Sequence, residues 1–355
     1  MQVSHNWATR PDDERYLDVQ SLHDAVLARR NSSMVEDSAI DLLQVRADDD
    51  NSMHLVNGQG NDAGKLTHFA FGQLCQRVGA PAGYLRSLPA QLAQIPLAYS
   101  LEQGDLAKER DGKILSRQNG SRYVSAVTSA TYGRIWDSEV TRAVLDHIDL
   151  NTWKVPAASY SAKDPKRATT LYGSDRDVFM FLVSENSIES SGESVNRGVI
   201  IWNSEVGSAT LGITTMTYDR ICDNRIIWGA GNIKSLKIRH TSGAPDRFIV
   251  QALPAIQSYM ASSDLEAAET IRKAKQLTVG SNKMDVVQWL QNKGFTQGLA
   301  RKAYDYAESD KRNYNPRSVW GLVQGMTDAA HEVNYTNERV AIETKAGSLL
   351  DAIAA

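Results

Sequence analysis

The sequence predicts an α+β fold in which a central, mostly antiparallel sheet lies between a helical N-terminal part and a helical C-terminal region. Between residues 113 and 240 the apolar side chains recur with a period close to two, which is typical of β-strands. On both sides of this block they recur every three or four positions, which is typical of amphipathic helices. We therefore expect three parts, residues 1–112, 113–240 and 241–355, which could form one continuous domain.

In the N-terminal part, the helical spacing of apolar residues predicts helices at 19–30 and 66–79. A turn-rich stretch at 46–51 separates two short apolar runs and predicts a hairpin. Residues 80–103 are expected to form short helical pieces, because each of their three prolines limits how far a helix can extend.

The central part is predicted to contain the strands. The strand-like segments are KILSR (113–117), RYVSAVT (122–128), TWKVPAASY (152–160), DVFMFLV (177–183), RGVIIWN (197–203), SATLGITTM (208–216), NRIIW (224–228) and KSLKIRH (234–240). One helix interrupts them at 136–148, and the polar, acidic stretch at 184–196 is expected to be a mobile hairpin loop. The C-terminal part has helical spacing almost throughout, and Pro316 marks the start of its penultimate helix.

Composition restricts the compartment of the protein. The two cysteines, Cys75 and Cys222, lie in unrelated segments, which excludes a disulfide framework and indicates a reducing compartment. No apolar run is long enough to span a membrane, and the first residues lack the order of a secretory signal. We therefore expect a cytoplasmic protein that does not cross a membrane.

Charge is distributed unevenly along the chain. The formal net charge is −3, which argues against a general polyanion binder. However, residues 1–112 hold 16 acidic and 10 basic residues, whereas residues 225–317 hold 8 acidic and 15 basic residues. This asymmetry is expected if one face meets phosphates, or if acidic and basic parts meet in a homo-oligomer. Solvated faces that bind no partner would give the same pattern.

No motif for catalysis or cofactor binding passes a test of spacing. The segment at 58–67 has the glycines of a phosphate-binding loop, but Gln59 stands at the position of its first glycine and Leu66 replaces its hydroxyl residue. GAG at 229–231 lacks the third glycine of a dinucleotide-binding turn. The seven histidines show no metal-ligand spacing, and no nucleophile elbow is present. We predict no cofactor, no resident metal and no catalytic residue.

A metal-dependent nucleic-acid enzyme is a competing hypothesis. Acidic residues cluster around the middle strands, at Asp175, Asp177, Glu185, Glu205, Asp219 and Asp223. A divalent metal needs two or three such oxygen ligands, for which Asp175, Asp177 and Glu205 are the candidates. Their spacing matches no nuclease signature, so a solvated or salt-bridged surface is the other interpretation.

A polar turn between two apolar strands is the most unusual feature of the sequence. It contains Asn203, Ser204, Glu205 and Gly207, and Gly207 can take the positive φ of a tight bend. Two interpretations remain open. The turn has a purely structural role, or it presents Asn203 and Glu205 at a strand end for a function.

Basic and aromatic residues lie close to this turn. The candidate nucleic-acid-binding residues are the cations Arg220, Arg225, Lys234, Lys237 and Arg239 and the rings of Trp202 and Tyr218. Trp228 and His240 add a further ring and a further basic group. Single-stranded nucleic acid is held by such sets, because phosphates pair with cations and bases stack on rings. The alternative is that the rings belong to the core while the charges face water.

Four segments resemble the domain-of-unknown-function family 932 in residue type and order. They are LTHFAFGQLCQRVGAPAGYL (66–85), RYVSAVTSATYGRIWDSEV (122–140), RGVIIWNSEVGSATLGI (197–213) and YDRICDNRII (218–227). The resemblance covers roughly residues 60–345, and Asn-Ser-Glu-Val-Gly at 203–207 is its most specific element. It implies a protein of a mobile element, a phage or a plasmid, in a bacterial host cell.

The leading hypothesis is a protein that binds single-stranded DNA without sequence preference and promotes annealing and recombination, as a homo-oligomer and without catalysis. The strand-rich centre, the basic helical C-terminal half and the implied phage context make the chain similar to single-strand annealing proteins of the RecT and Rad type. The competing hypotheses are the metal-dependent enzyme and a counter-defence or regulatory protein that binds a host protein.

Overall fold

A computed structural model describes residues 11–103, 110–156, 169–190, 193–219, 224–226, 235–262, 264–309, 313–330, 332 and 336–354. These residues form two β-sheets with helices packed on both, followed by a helical region at the C-terminal end. The predicted α+β class is confirmed, although two sheets take the place of the single central sheet that the sequence led us to expect.

The secondary structure follows the predicted order of elements. The strands are β1 (Arg15–Tyr16), β2 (Ser33–Ala39), β3 (Gln44–Ala47), β4 (Met53–Val56), β5 (Asp62–Leu66), β6 (Asp111–Asn119), β7 (Ser121–Ser129), β8 (Trp153–Lys154), β9 (Leu171–Gly173), β10 (Val178–Ser190), β11 (Glu193–Asn203), β12 (Leu211–Asp219), β13 (Asn224–Ile226) and β14 (Ser235–Ile238). The helices are α1 (Val19–Asn31), α2 (His68–Arg77), α3 (Ala82–Leu85), α4 (Ala90–Glu102), α5 (Asp137–His147), α6 (Ala244–Arg247), α7 (Leu253–Ala261), α8 (Leu265–Gln276), α9 (Lys283–Asn292), α10 (Gln297–Ser309), α11 (Val319–Ala330) and α12 (Thr336–Ala354).

The first sheet has the strand order β2-β6-β7-β5-β4-β3. It contains the predicted hairpin, formed by β3 and β4. Its strands pair antiparallel except for β5 and β7, which run parallel with Lys65 opposite Tyr123. Helices α2 and α4 cover one face, where Leu55, Leu74 and Leu97 are inaccessible to solvent.

Helix α4 differs from the expectation that prolines limit the helices of this region. It begins directly after Pro89, as expected, but it continues through Pro96. A proline inside a helix removes one backbone hydrogen bond and costs about 3 kcal/mol. The helix persists because Ala93, Leu97 and Leu101 lie on one face and are buried in the core of the first sheet.

The second sheet has the strand order β1-β9-β10-β11-β12-β13, with β8 added to β10 and β14 added to β12. Its strand pairs are antiparallel. Helices α1, α5 and α7 cover one face, where Leu22, Val144 and Ile201 are buried together. The opposite face carries a separate buried cluster that includes Phe179 and Trp202.

The hairpin of β10 and β11 is longer than the sequence predicts. Residues 184–190 and 193–196, expected to be a mobile loop, belong to its strands. Ile188 and Val195 pair across the hairpin and are buried against the C-terminal helices. The sequence did not predict this part of the hairpin because most of its side chains are polar. Glu185, Asn186 and Ser187 face solvent, and the apolar side chains covered by the helices are Ile188 and Val195.

The C-terminal helices α8 to α12 pack around a common core that includes Leu290, Trp320 and Leu350. Pro316 precedes α11, as predicted, and the helix itself begins three residues later at Val319. Among the helices described here, none combines the length and the apolar composition needed to cross a membrane.

The expected boundary at residue 112 does not separate two structural parts. Strand β6 begins at Asp111 and pairs with β2, so the first sheet takes strands from both sides of the boundary. Strand β1 belongs to the second sheet, because it pairs with β9. The two sheets meet where Leu115, Ala126 and Val206 are buried together. The described chain therefore contributes its first strand to the second sheet, then forms the first sheet, and then forms the remaining strands of the second sheet.

Candidate nucleic-acid interface and the buried network behind it

The polar turn after β11 lies where the two sheets meet. Gly207 has a φ of +90°, which confirms the conformation predicted for this glycine. Asn203, Ser204 and Glu205 are buried rather than presented at the surface. Their side chains therefore hold neighbouring segments of the protein together instead of facing a ligand in solvent.

Asn203 and Ser204 position two neighbouring segments. The Asn203 amide nitrogen Nδ2 lies 2.8 Å from the carbonyl oxygen of Ile135 and 2.8 Å from Oδ1 of Asp137. It thereby holds the start of α5. The Ser204 hydroxyl donates to the carbonyl of Arg176 at 2.6 Å, which fixes the turn between β9 and β10.

Glu205 forms a buried ion pair with Arg117 of the first sheet, and neither residue is more than 1% exposed. The second carboxylate oxygen accepts the main-chain N–H of Asp137 at 3.0 Å. The carbonyl of Glu205 accepts a hydrogen bond from Arg134, and Arg117 also donates to the carbonyl of Asp175 at 3.1 Å. These contacts connect β6 of the first sheet with two turns of the second sheet.

Burial changes the protonation of the groups around Glu205. The pKa of Asp137 is raised well above its ordinary value, first by burial and then by the negative charge of Glu205. Asp137 therefore favours its protonated form more strongly than an exposed aspartate does. Burial also lowers the pKa of Arg134 and raises the pKa of Tyr132. We refer to these seven residues as the buried network: Arg117, Tyr132, Arg134, Asp137, Asn203, Ser204 and Glu205.

The carboxylates that the sequence suggested as metal ligands do not converge. Glu205 is paired with Arg117, Asp177 accepts a hydrogen bond from Ser174 at 2.8 Å, and Asp175 is exposed. Within the ranges that the structure describes, no group of three or more His, Cys, Asp or Glu side chains is arranged to hold a metal ion. The described structure therefore does not support Asp175, Asp177 and Glu205 as the ligand set of a metal-dependent enzyme.

Two of the predicted cations, Lys237 and Arg239, are exposed at β14. Neither side chain forms an ion pair with any residue of the described chain. Because Ile238 is buried, Lys237 next to it in β14 points to the outward side of the strand, and the exposed Arg239 follows directly after the strand ends. They provide two positive charges, two residues apart, at the edge of the second sheet.

The structure says less about the other predicted residues. Arg220, Lys234 and Trp228 lie outside the described residues. Arg225 and Tyr218 are opposite each other in the pair of β13 and β12, and only their backbone is described.

The prediction that Trp202 offers an accessible ring is wrong, because this residue is 1% exposed. It belongs to a row of residues paired across neighbouring strands, Tyr172, Phe179, Trp202, Gly212 and Lys237. The indole covers Gly212 so closely that a Cβ atom on this glycine would lie 1.9 Å from the ring. Trp202 is thus a core residue, while Lys237 ends the same row at the surface.

His240 adds no positive charge at neutral pH. Burial lowers its pKa to about 4, so the ring is neutral. The imidazole stacks on Tyr132 with the ring centroids 5.1 Å apart, and its Nδ1 lies 3.1 Å from the carbonyl oxygen of Gly133. His240 therefore anchors the end of β14 to the loop that follows β7.

Arg117, Arg134 and Asp137 were not among the site residues predicted from the sequence. Alternation along a strand does not distinguish a buried arginine from an exposed one, and the partner of Arg117 is 88 residues away in the chain. The available signal was the segment 122–140, which contains Arg134 and Asp137 and was one of the four that carried the family resemblance.

The fold and the buried network define a two-sheet α+β protein in which a polar turn joins the sheets. Residues 159–353, more than half of the chain, match the model of the family described as domain of unknown function, DUF932. The chain belongs to this family. No curated protein and no solved structure matches it.

The family match begins at residue 159 rather than near residue 60, where the resemblance was placed. The segments 66–85 and 122–140 therefore lie outside it. The buried network crosses this limit, because Glu205 lies inside the match and its partner Arg117 lies outside.

Proposed function

We propose that this protein binds single-stranded DNA and promotes strand annealing and recombination for a phage or plasmid, as a homo-oligomer in the bacterial cytoplasm and without catalytic chemistry. The observation that carries the proposal is the pair of exposed cations at β14, Lys237 and Arg239, which have no ion-pair partner in the described chain.

Exposed cations without a carboxylate partner suit contacts to a sugar–phosphate chain. Their charge is free to pair with phosphates, and each phosphate that they neutralise releases counterions. Strand β14 is held in place because Ile238 is buried opposite Leu211 in the pair with β12. A cation on a rigid strand loses less conformational freedom on binding than one on a loose loop.

The burial of Trp202 changes the kind of contact that we propose. With this ring in the core, the supported contact is made to phosphates and not to a base stacked on Trp202. Phosphate contacts carry no sequence information, which agrees with binding that has no sequence preference.

The proposal is tested by fluorescence anisotropy with a labelled oligothymidylate at about 50 mM and about 200 mM salt. We expect micromolar binding at low salt that weakens steeply at the higher concentration. The double variant Lys237→Ala, Arg239→Ala should bind about tenfold more weakly, because two phosphate contacts are lost, and should show a shallower salt dependence.

The matched control removes the same charge elsewhere. Arg272→Ala with Lys283→Ala deletes two cations that are already paired with Glu269 and Asp305. This control should bind like the wild type. No binding at micromolar protein in low salt, or an equal loss in both double variants, would contradict the proposal; in the first case a protein-binding, counter-defence role becomes the better hypothesis.

A further inference from the structure

A second group of basic side chains, His68 and the cations Arg86 and Arg176, lies at the first turn of α2 and is not used by the contacts proposed above. All three side chains are exposed, and neither arginine has a carboxylate partner in the described chain. The pKa of His68 is lowered, first by desolvation and then by the positive charges of Arg86 and Arg176. The two arginines therefore disfavour the charged form of His68, and neither is neutralised by an acid of the described chain.

Arg86 is held over the start of α2. Its Nη2 donates to the carbonyl of His68 at 2.8 Å, and the guanidinium carbon lies 5.6 Å from the centre of the Phe71 ring. The approach requires a glycine at position 72, because a Cβ atom on Gly72 would lie 2.6 Å from Arg86 Nη2. The guanidinium is thus ordered by contacts that leave some of its donors free.

Arg176 reaches the same region from the second sheet. Its guanidinium carbon lies 5.8 Å from the centre of the Phe69 ring, on the first turn of α2. Its carbonyl accepts hydrogen bonds from the hydroxyls of Ser204 at 2.6 Å and Ser208 at 3.2 Å. The polar turn after β11 therefore fixes the position of Arg176, which links the family's segment to this cluster.

No carboxylate of the described chain lines the cavity next to His68 and Arg86. This cavity has a volume of about 260 Å³, and its other charged lining residue in the described chain is Lys65, whose Nζ lies 3.2 Å from Oδ2 of Asp50. By contrast, the cavity of about 440 Å³ between α1 and α5 has Glu139 and Asp146 in its lining. A small anion would meet positive groups there and no lining carboxylate.

We infer that His68, Arg86 and Arg176 form a phosphate-binding site. Both guanidinium groups can donate in parallel to phosphate oxygens, and a bound anion would offset the positive charge of the two arginines and favour the protonated form of His68. The amides of the first helical turn add to the positive potential, but the side chains supply the charge. Given the proposed function, on which the identity of the ligand rests, the phosphate is a phosphodiester of the bound DNA strand.

The site itself is tested by adding inorganic phosphate and monitoring the histidine rings by NMR during a pH titration. Phosphate should raise the pKa of His68 relative to chloride at equal ionic strength, because the anion stabilises the imidazolium. Arg86→Ala and Arg176→Ala should each weaken phosphate binding by about tenfold and raise the pKa of His68 in the absence of phosphate. His54, which pairs with Asp48 and Asp62, is the control ring and should not respond.

The same spectra with an oligothymidylate separate this inference from the proposed function. A shift of His68 by both phosphate and the oligonucleotide supports the site and its ligand. A shift by phosphate alone keeps the site but rejects DNA as its ligand. No shift by phosphate, with DNA binding intact and lost only in the Lys237→Ala, Arg239→Ala variant, would overturn the site and leave the proposed function standing. Unchanged His54 signals report that each variant is folded.

Discussion

Glu205 is the residue on which the junction between the two sheets depends most. Its carboxylate is the buried partner of Arg117 and also accepts the N–H of Asp137, while its own carbonyl is held by Arg134. Breaking a buried ion pair by removing one charge leaves the other uncompensated in a region without water, which is among the most destabilising changes in a protein. The pKa of Asp137, in contrast, is raised by burial and by the charge of Glu205, so its neutral form is favoured.

Substitution of these two acids should therefore give unequal results. Glu205→Gln should lower the free energy of unfolding by about 3 to 5 kcal/mol, since Arg117 keeps its charge and loses its partner. Asp137→Asn should be neutral or stabilising at neutral pH, because the amide avoids the cost of folding with a carboxyl whose pKa burial has raised above its unfolded value. Urea denaturation at neutral pH measures both. Similar losses in the two variants would show that Asp137 is ionised.

The pH dependence of stability tests the same raised pKa of Asp137 independently. A raised folded-state pKa means that the stabilising contribution of Asp137 is complete below its ordinary value of 3.8 and is lost as pH rises through the folded-state value. The stability of the wild type relative to Asp137→Asn should therefore fall as pH rises over that interval. A difference that stays constant with pH would contradict the assignment.

At the scale of elements, the row of paired residues across the second sheet explains why β12 has a glycine opposite Trp202 of β11. Trp202 occupies the space above Gly212, and its ring contacts the backbone of the neighbouring strand. Periodicity alone identifies both segments as strands. It does not show that the indole needs a glycine beside it, because the two residues meet only when the strands pair in this register.

Gly212→Ala should be strongly destabilising, by about 2 to 4 kcal/mol, because the new methyl group must displace Trp202. The same substitution in a Trp202→Ala background should cost much less, since the obstructing ring is gone. Thermal or urea unfolding of the single and double variants measures this coupling. Gly298→Ala is the control, because no atom lies within 4 Å of the added carbon and the site is in α10; it should be neutral or slightly stabilising. Additive losses in the double variant would contradict the contact.

Other elements show where local patterns were sufficient. The predicted helix at 19–30 is α1, the helix at 66–79 is α2, and Asp18 and Thr67 cap these helices with side-chain hydrogen bonds. Predictions from local patterns were wrong where packing with distant residues outweighed local preference. Helix α4 continues through Pro96, and the residues of 184–196 that the structure describes form strands instead of a loop.

At the scale of the whole molecule, the acidic surplus of the first part is partly neutralised within the chain. Asp48 and Asp62 pair with Arg46, and Asp50 pairs with Lys65. Within the described chain, exposed acids that form no ion pair include Asp37 of β2 and Asp41 between β2 and β3. Exposed cations that form no ion pair there include Lys237, Arg239 and Arg301 of α10. Unpaired charges of opposite sign on separate parts are what the proposed self-association requires.

Light scattering tests the proposed homo-oligomer. At about 50 mM salt and micromolar protein we expect a mass that is a multiple of the 39.1 kDa chain. At about 500 mM salt the assembly should dissociate or shrink, because the screening length falls below the separation of surface charges. A monomer at low salt would contradict assembly through complementary charge, and an oligomer that is insensitive to salt would indicate apolar contacts instead.

Local periodicity, turn chemistry and residue order were enough to predict the α+β class, most strands and helices, the positive φ of Gly207 and membership of the family. The two sheets, the burial of Trp202, the pairing of Glu205 with Arg117 and the approach of Arg86 and Arg176 to the first turn of α2 became evident only from the tertiary structure. Each of these depends on residues far apart in the chain, and neither period nor composition encodes which distant side chains share one environment.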